Sequence, residues 1–336
     1  MQMFNLQRFT RRGFLARAGW LIAGLSLLPL MQNFPLGASP GSQVGIIKTG
    51  NRKEALKRSL ELIPPPDVRG KKVLIKPNFN TADPAPGSTH NDTLETLIDE
   101  LWDRGAGHII IGERSGPPDS HEVMQEKGIF ELAQEKEVEV INFDHLKEDE
   151  VVHFQDDRLH WREGFHIPRI LQEVDHIIAT PCLKTHQFGG VFTLALKLAV
   201  GIIPNVGTNY MRELHGSPHM RRMIAEISLA YKPDLFILDG VEAFTTGGPA
   251  SGTRKNAEVT LVSSDPVAID AAGVAVLKEL GSTNQIMDNP IFAQEQIERA
   301  AEIGLGVSSP DQINLISDDS AGEDYARKIK DILDEG

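Results

Sequence analysis

His176-Ile-Ile-Ala-Thr-Pro-Cys-Leu-Lys-Thr-His-Gln-Phe-Gly-Gly-Val-Phe-Thr-Leu-Ala-Leu-Lys197 opens on a short run rich in aliphatic and β-branched residues, stops at a proline and crosses a polar, glycine-bearing loop. It then re-enters an apolar segment. The opening run reads as a strand over His176–Thr180 covered on both faces, and the closing segment as a helix over Val191–Val200. Outward from this stretch the same alternation repeats. Further strands are expected at Val44–Lys48, Lys72–Lys76, His108–Gly112, Val138–Asn142, Leu235–Leu238, Val259–Ser263 and Gln312–Ile316. Helices are expected at Lys53–Leu62, Asp92–Arg104, His219–Tyr231, Pro266–Glu279, Ala293–Ile303 and Gly322–Leu333. Strands alternating with helices imply an α/β fold: a layered, mostly parallel or mixed sheet with crossover helices, in one domain or two lobes.

Local signals mark several boundaries. Ser264-Asp265-Pro266 offers cap residues followed by a proline at a first helical position, and Asn91 or Asp92 reads as another N-cap. Val151–Gly164 mixes charge, aromatics and short β-like pieces, as a hairpin or an inserted excursion, which puts a sub-boundary near 150–165.

Ligands in α/β folds bind beyond the carboxyl ends of strands, so polar residues there are the first candidates. Lys184, His186 and Lys197 follow the strand at His176–Thr180. A lysine holds an anion or acts as a base when desolvated, and a histidine ligates metal or moves a proton. We assign proton transfer or metal ligation to His186, and anion binding or acid catalysis to Lys184 and Lys197. In Lys76-Pro77-Asn78 the proline ends a strand, either displaying Lys76 and Asn78 to a ligand or making an ordinary turn. Glu113 ends the next strand, as a base or ligand or as the ion-pair partner of Lys76 or Arg114. Asp239 ends a third. His215 and His219 are separated by Gly216 and Pro218, which oppose a shared helical face, so His215 is the better ligand candidate. With His186 and either Glu113 or Asp239 it would complete a mixed nitrogen and oxygen metal site. Thr245–Lys255 is glycine-rich but lacks a P-loop ending, and reads as a flap over an anion or as an exposed loop. No Gly-x-Ser-x-Gly elbow is present around Ser115, so serine hydrolysis is not supported.

The 336 residues carry a net charge of −13. Thr10-Arg11-Arg12-Gly13-Phe14-Leu15 precedes the apolar run Ala18–Leu30, the order of a twin-arginine export signal. The run is shorter than the roughly 20 residues that span a bilayer, which favours a cleaved leader over 1–38 to an uncleaved anchor. The cut is expected near Leu36-Gly37-Ala38-Ser39, leaving an α/β domain over 39–336 in the periplasm. Without the leader's four arginines the charge moves from −13 to −17. So acidic a protein has no electrostatic basis for binding nucleic acid. Cys182 is the single cysteine, which excludes an intramolecular disulfide and a self-contained iron–sulfur cluster. The expected partners are the twin-arginine export machinery, a small anionic ligand and, for electron-transfer chemistry, a redox partner protein.

The chain resembles the uncharacterised family called domain of unknown function 362. The likeness is carried by Lys76-Pro77-Asn78, Ile110-Ile111-Gly112-Glu113, Leu183-Lys184-Thr185-His186 through Lys197-Leu198-Ala199-Val200-Gly201, Leu238-Asp239-Gly240, and Ser263-Ser264-Asp265-Pro266-Val267-Ala268-Ile269-Asp270. Many similar proteins carry a ferredoxin-like module with cysteine clusters. The segment His186-Gln-Phe-Gly-Gly with downstream Lys197 is also similar to the lactate racemase family, whose nickel-bearing nucleotide cofactor serves hydride transfer. That similarity implies a site at this loop and a metal or nucleotide-like cofactor. The expectation is an exported enzyme binding a small anion or such a cofactor, with redox or isomerase chemistry. The rival is a non-catalytic periplasmic ligand-binding or metal-binding protein.

Overall fold

The computed structural model describes residues 41–116 and 119–336; the expected leader lies outside them. Its strands are β1 Ser42–Lys48, β2 Lys72–Pro77, β3 His108–Glu113, β4 Glu139–Asn142, β5 Val151–Phe154, β6 Phe165–Pro168, β7 His176–Thr180, β8 Cys182–His186, β9 Val191–Thr193, β10 Leu235–Gly247, β11 Gly252–Ser263 and β12 Ile313–Ile316. Eight of them run side by side in the order β12-β1-β11-β10-β7-β2-β3-β4, with β8 and β9 attached through β10. The run from β10 to β4 is parallel throughout, and β11 is antiparallel to both of its neighbours.

Alternate residues of the strands feed opposite layers, as a pleat with period two requires. Val73 and Ile75 of β2 and Ile109 and Ile111 of β3 join the cluster beneath helices Arg52–Leu62 and Asn91–Asp103. Leu74 and Ile110 face the cluster holding Met223, Ile224 and Tyr231. Helix Pro266–Glu279 covers the other end of that second face and is buried along most of its length, which explains its apolar sequence on every side.

β5 and β6 form a separate antiparallel pair, and Phe165, Ile167 and Trp161 from this excursion are buried in the same cluster as Tyr231. Asp265 caps helix Pro266–Glu279 as expected, accepting from the amides of Val267 and Ala268. The helix at Asn91–Asp103 is capped instead by His90, whose Nδ1 accepts from the amide of Asp92.

Three further expectations change. Lys184 and His186 lie on a strand, β8, because the chain resumes extended pairing with β10 directly after Pro181. The helix expected at Val191–Val200 divides into β9 and the single turn Ala195–Leu198, followed by a 3-10 turn to Ile202. Thr245–Lys255 is not a loop through most of its length: β10 and β11 extend through it and leave only residues 248–251 as the turn.

Candidate functional site

From β2 the chain moves outward to β3 and β4, and then returns to place β7 on the other side of β2. Connections leaving β2 and β7 therefore diverge and open a crevice beyond their carboxyl ends, the place where open α/β sheets bind ligands. A cavity of about 1040 Å³ occupies it, at the upper end of the ordinary range for small-molecule sites. Lys76, Asn78, Glu113, Lys184, His186, Lys197 and His215 all line this cavity, although they span 140 positions of sequence.

Lys76 and Glu113 form a fully buried ion pair, Nζ to Oε1 at 2.7 Å, and Lys76 also donates to the carbonyl of Pro77. Glu113 accepts in addition from the amides of Arg114 and Phe79, at 2.7 and 3.1 Å. Burial raises its pKa to about 7 against the pull of Lys76, while burial lowers that of Lys76. With three donors engaged, Glu113 is the partner of Lys76 rather than a free base or ligand. Gly201 packs against this pair, where a Cβ would stand 2.7 Å from Glu113 Oε1 and 2.8 Å from Lys76 Nζ. The family-like glycine after Lys197 is thus the floor under the ion pair.

The Lys184 ammonium is buried and donates to the backbone carbonyls of Gly87 and Pro249, tying the loop before helix Asn91–Asp103 to the turn between β10 and β11. No carboxylate pairs with it among the described residues. Lys197 has neither a hydrogen-bond nor an ion-pair partner there. Burial lowers both lysines to about 8, and Lys184 further depresses Lys197. Burial and the positive charge of Lys197 and Lys184 push His186 far down, so its imidazole is neutral at ordinary pH. His186 Nδ1 and Asn78 Nδ2 are buried without partners among the described residues, as are Ser115 Oγ and Thr193 Oγ1, whose residues line the same cavity. Buried polar atoms are rarely left unpaired, and several facing one cavity are what a polar ligand would satisfy.

Backbone strain lies at the same edge. Val191, opposite His186 in the β8–β9 pairing, is β-branched yet held at φ +64°, a conformation costing about 1–3 kcal/mol that only a constraining surround maintains. Gly190 precedes it, with room for no Cβ: one would lie 2.7 Å from Lys197 Cε and 2.9 Å from His186 Nδ1. This glycine is what lets the lysine and the imidazole come together. Phe188, at the mouth, is 63% exposed and meets the His186 ring edge to face at 5.9 Å.

Asp239 is placed elsewhere. It accepts from Arg52 Nε at 2.9 Å, from Thr93 Oγ1 and from the amide of Val241, and does not line the cavity. With Glu113 also engaged, the mixed metal set around His186 and His215 is not assembled. The described residues contain no group of three or more His, Cys, Asp or Glu placed to hold a metal ion. The sequence reading missed the neighbouring wall. There Arg114 Nε donates to Asp144 Oδ1 at 2.9 Å and Asn205 bridges the two. Arg114 directly follows the block that ends at Glu113, but nothing local to Asp144 or Asn205 ties them to it.

Over 250 residues the chain is 24% identical to thylakoid-associated protein sll1697 of Synechocystis sp. (strain ATCC 27184 / PCC 6803 / Kazusa), covering 73% of this chain and 74% of that protein. Among solved structures it is similar to a structural-genomics protein from Thermotoga maritima, with a TM-score of 0.42 and 12% identity, covering 76% of this chain and 60% of that one. It is also similar to the lactate racemase apoprotein from Thermoanaerobacterium thermosaccharolyticum, with a TM-score of 0.40 and 13% identity over 86% of each chain. The family model described as domain of unknown function (DUF362) matches residues 73–275, more than half of the sequence, and the chain belongs to that family.

Proposed function

We propose that the protein is an exported enzyme that binds a small anion, a carboxylate or a phosphate, in the strand-end cavity and moves a proton on it through His186. The observation that carries this reading is the meeting of two ammonium groups without carboxylate partners among the described residues, buried Lys184 and half-buried Lys197, with the unpartnered His186 and Asn78 in one cavity. An anion there would offset the positive charge that burial leaves uncompensated, and would accept the hydrogen bonds now missing. It would also raise the basicity of His186, because it would oppose the two lysines that help to hold the imidazole neutral. Binding and readiness for proton transfer would thereby be coupled. Lys184, held by two carbonyls, suits charge and loop positioning better than proton transfer. Redox and isomerase steps both fit such a site. Export is read from Arg11-Arg12 and the apolar run after them, and no helix among the described residues is long and apolar enough to cross a membrane.

Calorimetry with acetate, L-lactate, malonate and inorganic phosphate tests the reading. At least one should bind, and Lys197→Met should weaken it about tenfold or more, the loss of one charge-assisted contact. His186→Ala should keep affinity within a few fold while abolishing any turnover found. Binding with intact affinity and no turnover in any assay identifies the carrier alternative. If none of the four anions binds, or if Lys197→Met binds as the wild type does, the anion site is refuted.

A further inference from the structure

Lys197 lacks a partner of its own, so something else must place it. It sits in the single turn Ala195–Leu198, a helix too short to hold itself by its own hydrogen bonds. The residue before that turn, Leu194, has no side-chain acceptor to cap it. The acceptor arrives from helix Pro266–Glu279: Asp270 Oδ1 takes the amide of Ala195 at 2.7 Å and Oδ2 that of Leu196 at 3.3 Å. Asp270 is fully buried, and no cation pairs with it among the described residues. Burying a carboxyl this way is unfavourable unless backbone donors satisfy it. Burial also raises its pKa to about 8 against those two amides. Both contacts end on the turn that carries Lys197, and Lys197 Cε then packs at the Gly190 position beside His186.

We propose that Asp270 is the positioning residue of the anion site, setting the first two residues of the turn Ala195–Leu198 and through them the place of the Lys197 ammonium beside His186. The importance of that place rests on the anion-binding reading above; the positioning itself does not. Two measurements on the full chain test it, using Asp270→Ala, Asp270→Asn and Lys197→Met. In protein labelled with ¹³C at lysine Cε, Asp270→Ala should shift the Lys197 resonance and leave that of Lys184 in place. Asp270→Asn keeps one acceptor, should fold where the alanine variant does not, and should shift Lys197 less in the same direction. By calorimetry, Asp270→Ala should weaken inorganic phosphate about tenfold and Asp270→Asn about threefold, since one or two buried hydrogen bonds are at stake. In a Lys197→Met background neither should weaken it further, because the loss passes through the lysine. An unmoved Lys197 resonance in folded Asp270→Asn, or phosphate losses that persist without Lys197, overturns the proposal. Failure of wild-type protein to bind phosphate or any of the other three anions counts against the anion reading instead, and the resonance then decides the role of Asp270.

Discussion

At the scale of single residues, the lysines of the cavity give a signature in alkaline stability. Lys184 and Lys197 titrate near 8 in the folded protein and near the ordinary lysine value when unfolded. Between those values the unfolded chain binds more protons, so each lysine makes folding more favourable as pH rises from about 8 toward 10.5. The tyrosines act oppositely at the top of this range, since burial raises Tyr231 and Tyr325. The wild type should therefore be compared with Lys197→Met in denaturant titrations at several pH values. We expect the unfolding free energy of the wild type to gain on that of the variant from pH 8 upward. A constant difference would show that Lys197 is not desolvated. Lys76 and Glu113 each end an apolar run, and the end of a run is visible without knowing what packs on it; Lys184 lies beyond such an end, on a strand that the sequence reading took for loop. Asp239 met the same criterion but does not line the cavity: its strand continues to Gly247, so the aspartate lies partway along an interior strand, where Arg52 pairs with it.

At the scale of elements, Asp265 does more than end a helix. Besides two helix amides it accepts from Ser42 Oγ at 2.5 Å and from the amide of Val307 at 3.0 Å, joining β1, helix Pro266–Glu279 and the loop after helix Glu295–Glu302. Asp265→Ala should cost about 2 kcal/mol or more, the upper part of the range for a lost cap, because other segments lose their acceptor too. Chemical denaturation checks this, and a loss of a few tenths would reduce the residue to a peripheral cap. The cap itself was legible from Ser264-Asp265-Pro266. The elements that were not legible share one cause, long-range pairing that overrides local pattern. Val191-Phe192-Thr193 has β character, but the apolar residues that follow it have helical spacing, and only its pairing with β8 separates the two. Gly247-Gly248-Pro249 looks like open loop until the flanking threonines are seen to cross-pair, Thr246 Oγ1 to Thr253 Oγ1 at 2.7 Å.

At the scale of the whole molecule, Cys182 is a natural reporter. It opens β8, is 1% exposed and has its thiol raised to about 11 by burial. A thiol so placed reacts only when the surrounding sheet opens. In native buffer a thiol reagent should label it at least about a thousandfold more slowly than in denaturant, in keeping with a stability of 5 kcal/mol or more. Labelling on the timescale of the unfolded chain would mean that the sheet opens locally at the cavity.

The sheet partners of β1 also constrain when this molecule can assemble. Ser42–Lys48 pairs with β11 and with β12, which lie more than 200 residues downstream. During synthesis Ser42–Lys48 therefore waits for its β11 neighbour until Ser263 has been made, and for its β12 neighbour until Ile316 has followed. Closure of that edge is a late event, and the high sequence separation of its contacts makes it slow. A chain released before β12 keeps β1 paired on one side only, its other edge open to any strand that meets it.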